Sequence, residues 1–170
     1  MSHNLRIAVC GAAGRMGRQI MQLILDAPDL TLSGAIEYAT HPDIDKDVGI
    51  LLGRGEIGQP LESNVEHVAA ASDVVIDFSH ADVTLEVARA VAGQKKALVI
   101  GTTGHEDMKR EEILEEASDI PLVWAPNMSV GVTLMFGLAA KAAQILGEDY
   151  DIEVVEMHHR HKKDAPSGTA

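Results

Sequence analysis

The chain has one cysteine, Cys10, so no intrachain disulfide can form, which fits a reducing compartment. Cys10 ends an apolar run and reads as a small buried side chain rather than a reactive thiol. Aromatic residues make up only 3% of the chain, so a core must rest on Val, Ile, Leu, Ala and Met. Cations are scarce: 14 Lys and Arg stand against 26 Asp and Glu, a net charge of −12. That excludes the basic face of a nucleic-acid binder, and the acidity serves solubility. No apolar stretch reads as approaching the roughly 18 residues of a membrane helix, so no membrane partner is expected. The opening Met1-Ser2-His3-Asn4-Leu5-Arg6 lacks a signal-peptide pattern. Together these features lead us to expect a cytoplasmic protein. With 170 residues, 46% apolar and 24% charged, the chain can fill one domain, or one domain and part of a second.

Short apolar runs alternate with helical patterns. Strands are expected at 5–10, 30–36, 73–78, 97–100, 121–124 and 152–157. Helices are expected at 15–26, with Met16, Ile20, Leu23 and Ile24 on one face, and at 65–71, 83–92, 106–117 and 132–146. Residues 38–62, rich in Gly, Asp and Pro, read as a long surface loop. The alternation implies βαβ units, a parallel sheet and helices on both faces. Ligands of such sheets bind beyond the C-terminal strand ends.

The first strand runs into Gly11-Ala12-Ala13-Gly14-Arg15-Met16-Gly17, a variant of the G-x-G-x-x-G dinucleotide fingerprint. Gly11 suits a tight turn, Gly14 a close backbone approach to a pyrophosphate, and Gly17 close helix–sheet packing. The free amides of the helix start would bind phosphates. Glu37 follows 20 residues after Gly17, at the end of the second strand, where a carboxylate can accept from ribose hydroxyls. A Walker phosphate loop is excluded, because no Gly-Lys-Ser/Thr follows. Glu37 and the adjacent Tyr38 favour NADH. A 2′-phosphate would meet a like charge and no arginine, although Arg15 leaves NADPH use open. The expected fold is therefore α/β, a Rossmann-like doubly wound parallel sheet.

Gly101-Thr102-Thr103-Gly104 and Ala125-Pro126-Asn127-Met128 each follow a strand. They offer amides and small polar groups where a nicotinamide would lie, and ordinary loop chemistry accounts for them equally well. His80 reads as a solvated loop residue. The C-terminal stretch gathers His158, His159, Arg160, His161, Lys162 and Lys163 before Asp164-Ala165-Pro166-Ser167-Gly168-Thr169-Ala170. Adjacent histidines on a strand point to opposite faces, so no metal site is expected. A solvated basic tail is one reading. The catalytic reading joins a histidine that titrates near neutrality, a lysine that carries a proton, and a small-residue turn that can hold a carboxylate.

The run from Glu156 to Ala170 closely resembles the signature of the dihydrodipicolinate reductase family. Gly11 to Gly17, Gly101-Thr102-Thr103-Gly104 and Asn127-Met128-Ser129-Val130-Gly131-Val132 are similar to further family motifs, in the same order. The resemblance covers essentially the whole chain. It implies an NAD(P)H-dependent oxidoreductase of the diaminopimelate route to lysine, acting by hydride transfer and then protonation on a small dicarboxylate. It also implies cofactor contacts from Gly11 to Met16, Glu37, Gly101 to Thr103 and Ala125 to Met128. His158 would exchange a proton and Lys162 would donate one. His159, Gly168 and Thr169 would bind carboxylates. Some family members carry arginine where this chain has Tyr38.

The resemblance also implies a mixed-sheet substrate domain that builds a homotetramer in the full-length form. Here only its start is expected, with domains at 1–128 and 129–170 and a chain cut after the catalytic signature. Two other readings compete. A non-catalytic dinucleotide-binding module explains the fingerprint but not the histidine–lysine cluster. An aspartate or homoserine dehydrogenase lacks this His-His-x-x-Lys with Asp-Ala-Pro-Ser-Gly-Thr.

Overall fold

In the computed structural model, residues 4–158, 160, 167 and 169 are described. The chain divides into two compact units, Met1–Trp124 and Ala125–Ala170. The first holds β1 (Leu5–Cys10), α1 (Arg15–Asp26), β2 (Leu30–Ile36), α2 (Val48–Leu51), β3 (Leu61–Glu62) and α3 (Val65–Ala71). It continues with β4 (Val74–Asp77), α4 (Thr84–Gly93), β5 (Ala97–Ile100), α5 (Asp107–Glu116) and β6 (Leu122–Trp124). The second holds α6 (Val130–Leu146) and a single 3₁₀ turn, Gly147–Asp149.

All strand pairs in the first unit are parallel, in the order β3-β2-β1-β4-β5-β6. The order reverses between β1 and β4, the switch point where doubly wound sheets bind dinucleotides. Side-chain alternation along β1 sends Ile7 and Val9 to one face and Ala8 and Cys10 to the other. The first pair joins Met21 and Ile24 of α1. The second joins Val68 of α3, Val87 and Val91 of α4, and Ile113 of α5. Register slips between Ile7 and Ala8, so Ala8 pairs with Gly34. A Cβ on Gly34 would overlap the Val68 side chain, which is why this strand interior takes glycine.

Several sequence expectations need correction. The buried face of α1 is Gly17, Met21 and Ile24, with Ile20 half-buried. Met16 and Leu23 are 50% and 69% exposed. Gly17 begins the i, i+3, i+4, i+7 stripe, and because glycine carries no apolar side chain the stripe reads as displaced by one residue.

The 38–62 segment is not wholly a surface loop. Val48 and Leu61 are fully buried, and β3 adds a sixth strand. The Asp47 carboxylate organises it, accepting from Gly49, Ile57, Gly58 and Gln59 amides at 2.7–3.3 Å. Burial alone would push the Asp47 carboxyl up. The amides of Ile57, Gly58, Gly49 and Ile50 outweigh that and hold it below the usual carboxylate range.

The strand expected at 152–157 does not form among the described residues: 151–158 take no regular secondary structure, and Val154, Val155 and Met157 are exposed. A strand exists through its ladder, and among the described residues no neighbour supplies one.

The expectation of no long apolar stretch also fails. The segment Val130–Asp149 has 20 residues and a mean hydropathy of 1.5, long and apolar enough by length and composition to cross a membrane. Small residues at Gly131, Gly137 and Ala139–Ala140 and the charge at Lys141 break its pattern into pieces that read individually as short. Those same residues are ordinary in a helix that a soluble protein covers.

Candidate functional site

β1 delivers the fingerprint. Gly11 has φ +72°, a left-handed conformation that favours glycine, and a Cβ there would overlap the Phe78 carbonyl. The Gly14 amide donates to the Gly11 carbonyl at 3.1 Å and closes the turn. Gly14 is the N-cap of α1 and provides no side-chain cap, so the first-turn amides keep their capacity for an anion. A Cβ on Gly17 would strike the Gly11 carbonyl and the Ala12 backbone. Arg18 braces the loop: Nε donates to Ala13 O and Nη1 to Leu51 O, both at 2.9 Å.

Glu37 stands one residue past β2. Its Oε2 accepts from the Ala13 amide at 3.2 Å and its Oε1 from the Tyr38 amide at 3.3 Å. The carboxylate therefore lies against the fingerprint turn, and each oxygen retains a lone pair for a ribose hydroxyl. Beside it opens a cleft of about 620 Å³, walled by Gly11, Gly14, Glu37, Tyr38, Phe78 and Val83 among others. Its lining is mostly apolar, and among the described residues it includes Glu37 and Glu86 but no Lys or Arg.

The far wall comes from the end of β4. Asp77 is fully buried and accepts from the Ser79 amide at 3.0 Å, the Ser79 hydroxyl, and Thr84 Oγ1 at 2.9 Å. From β5, the Gly101 amide and the Thr102 hydroxyl donate to the Asp77 carbonyl at 2.9 and 3.3 Å. Cys10 is buried beneath this wall. Burial first, then the charges of Asp77 and Glu37, push its thiol well above the usual range, so it stays protonated and inert.

In the second unit, Asn127 Nδ2 donates to Thr169 Oγ1 at 2.9 Å. Thus a loop residue expected at the nicotinamide meets one expected at the substrate. Glu156 gathers the tail: one oxygen accepts from the Ser167 amide at 2.7 Å and the other lies 3.3 Å from His158 Nδ1. A carboxylate on one imidazole nitrogen orients the ring and leaves the other nitrogen for proton exchange.

Comparison with known proteins agrees with this architecture. Residues 5–128 match the family described as "Dihydrodipicolinate reductase, N-terminus", and residues 131–170 match "Dihydrodipicolinate reductase, C-terminus".

This chain belongs to the dihydrodipicolinate reductase family.

A 4-hydroxy-tetrahydrodipicolinate reductase of Geotalea daltonii is 48% identical over 166 residues, which are 98% of this chain and 62% of that protein. One from Anaeromyxobacter dehalogenans is 46% identical over 97% of this chain and 61% of its own length. The dipicolinate-bound dihydrodipicolinate reductase of Paenisporosarcina sp. TG-14 superposes with a TM-score of 0.72 at 26% identity, over 97% of this chain and 62% of that one. The chain thus spans less than two thirds of the length of these relatives.

Within the dihydrodipicolinate reductase frame, the first unit brings Gly11, Ala12, Ala13, Gly14, Gly17 and Glu37 into one locus. Arg15, Met16 and Tyr38 are exposed at its edge. Gly101 and Thr102 join the same strand ends through Asp77. Ala125, Pro126, Asn127 and Met128 fall in the second unit with His158 and Thr169. His159, Lys162 and Gly168 lie outside the described residues.

Sequence reasoning missed Arg18, Asp77 and Glu156. Asp77 had a signal, a carboxylate inside an apolar strand with hydroxyl residues two and seven positions on. Glu156 had one too, sitting two residues before His158.

Proposed function

We propose that the protein is an NAD(P)H-dependent reductase of 4-hydroxy-tetrahydrodipicolinate in the diaminopimelate route to lysine. The observation that carries this is Glu37 hydrogen-bonded to the fingerprint amide of Ala13 over an apolar cleft at the sheet's switch point. The cradle fits a dinucleotide, because a Cβ at Gly11 or Gly17 would fill the space the turn needs and the α1 amides are left uncapped. A bound nicotinamide would supply the hydride.

The chain's own residues do the rest. Gly11 to Gly17 hold the pyrophosphate, Glu37 the ribose, and Gly101 to Thr103 with Ala125 to Met128 the nicotinamide. His158, oriented by Glu156, exchanges a proton with the ring, and Lys162 donates one. Thr169, His159 and Gly168 bind the two carboxylates of the substrate. Each turnover takes up one hydride and one proton and releases the 4-hydroxyl as water. We further propose NADH as the favoured cofactor, since both charged side chains lining the cleft are carboxylates. A full-length homotetramer in the cytoplasm completes the reading.

Calorimetric titration with NADH and NADPH, then with pyridine-2,6-dicarboxylate, tests it. The expected result is NADH binding about tenfold tighter than NADPH, from one unscreened like-charge contact, and tighter still with the dicarboxylate. Binding of neither nucleotide would sink the reading, and equal binding would sink the cofactor preference. The second reading, a dinucleotide-binding module without turnover, is favoured for this chain if the dicarboxylate has no effect.

A further inference from the structure

Three loops meet at the C-terminal end of β4. The fingerprint turn comes from β1, the 78–80 turn from β4 itself, and the 101–102 turn from β5. The glycine contacts show how tightly they meet. A Cβ on Gly11 would overlap the Phe78 carbonyl, and a Cβ on Gly101 would overlap the Phe78 ring. Residue 78 is therefore wedged between the other two loops, and its placement sets the width of the cleft.

Asp77 fixes that placement. It is fully buried, and among the described residues no cation pairs with it. A buried, unpaired carboxylate is costly and persists only where its acceptors are filled. Here Oδ1 takes the Ser79 amide and hydroxyl, and Oδ2 takes the Thr84 hydroxyl at the start of α4. Its main-chain oxygen takes the Gly101 amide and the Thr102 hydroxyl. An ordinary Asx turn would use one oxygen and one amide. Asp77 uses both carboxylate oxygens and its carbonyl, and every partner belongs to the cleft wall, the rim, or the helix that carries them.

We infer that Asp77 is a positioning residue for the dinucleotide cleft, holding the 78–80 wall with its carboxylate and the 101–102 rim with its carbonyl. The inference rests on the cofactor reading above. Asp77 itself touches no cofactor, so its removal acts equally on either nucleotide. The requirement is geometric. An asparagine can accept from Ser79 through its oxygen and donate to Thr84, whose hydroxyl then turns to the His80 carbonyl 3.3 Å away. The negative charge is dispensable; the fork of acceptors is not.

The test measures dissociation constants for NADH and NADPH, by nucleotide fluorescence, in the full 170-residue chain and four variants. Asp77→Ala is expected to weaken both nucleotides about tenfold or more, the loss of a charge-assisted hydrogen-bond set. Ser79→Ala removes the hydroxyl donor, keeps the amide and does not open the core, and should weaken both in the same direction even if Asp77→Ala folds poorly. Asp77→Asn should restore binding to within about threefold. Val75→Ala, a fully buried change on the same strand, serves as the control: it should lower the unfolding temperature and leave both constants unchanged. Wild-type affinity in both Asp77→Ala and Ser79→Ala would overturn the inference, as would equal weakening in Val75→Ala. A wild-type chain that binds neither nucleotide would remove the cofactor reading and this inference with it, whereas the other two results strike the inference alone.

Discussion

Gly17→Ala should destabilise the protein, although Gly→Ala inside a helix ordinarily does the reverse. In a helix interior the exchange is worth about 1 kcal/mol in favour of alanine. At Gly17 the new Cβ would lie 2.7 Å from Ala12 Cα and 2.9 Å from Ala12 O, and closer still to the Gly11 carbonyl. All three are backbone atoms of the fingerprint turn, so no side chain can swing aside. The helix must move off the loop, and with three backbone contacts all inside 3 Å the overpacking cost falls in the upper part of the usual range, about 2–3 kcal/mol. That leaves a net loss of about 1–2 kcal/mol, or about 3–8 °C in a domain of this size. Gly93→Ala is the internal control. Gly93 closes α4, its Cβ would meet nothing within 4 Å, and this variant should gain stability. Thermal unfolding by circular dichroism gives both numbers, and NADH titration should show Gly17→Ala binding far more weakly than Gly93→Ala. A Gly17→Ala protein as stable as wild type would refute the packing argument that places the fingerprint against α1.

Two further tests use pH. Arg6 hydrogen-bonds Asp73 with its side chain and amide and pushes that carboxyl down to about 2, so the pair stabilises the fold above the unfolded value of 3.8 and is lost as pH falls from there towards 2. Urea midpoints of wild type and Asp73→Asn should differ at pH 6, draw together as pH falls through 3.8 and converge only near pH 2, the gap being small because both side chains are more than a third exposed; a gap that stays constant would refute the linkage. His105 stands edge-on to Trp124 at 5.0 Å with Nε2 buried and unpaired. Burial holds its imidazole below 6.5, helped by Arg110, Lys109 and His80 against the pull of Asp77. Stability should therefore be full above pH 6.5 and fall below it, with a change in the fluorescence of Trp124. His105→Phe should remove that pH dependence, and an unchanged profile in the variant would refute it.

The sheet was legible because its strands are continuous apolar runs bounded by Gly, Pro and Asp, which is what burial on both faces demands. The bounds of α1, β2, α3 and β5 follow from the sequence alone. The 38–62 segment was not legible, because α2 and β3 are four and two residues long, below the length at which any period can be read. Their order is set by Asp47, which gathers amides from both ends of the segment, an interaction that no local pattern encodes.

The site divides along the same line. Gly11, Gly14, Gly17 and Glu37 were readable because their spacing reflects a local geometric need: a turn, a close approach and a ribose contact within one βαβ unit. Asp77 and Glu156 were not, because their roles are to hold other residues and their partners lie up to 25 positions away. The tail makes the contrast sharpest. Its residue types announced proton chemistry, while its periodicity announced a strand that the described residues do not form. Residue identity reports what a side chain can do in any setting. Strand pairing reports what lies alongside, and nothing in residues 151–158 encodes a neighbour. A segment whose chemistry is legible and whose ladder is absent is one whose structure must come from what packs against it. The fingerprint is the opposite case: its turn closes on itself through the Gly14 amide and the Gly11 carbonyl, so its glycine spacing can be read without knowing any distant neighbour.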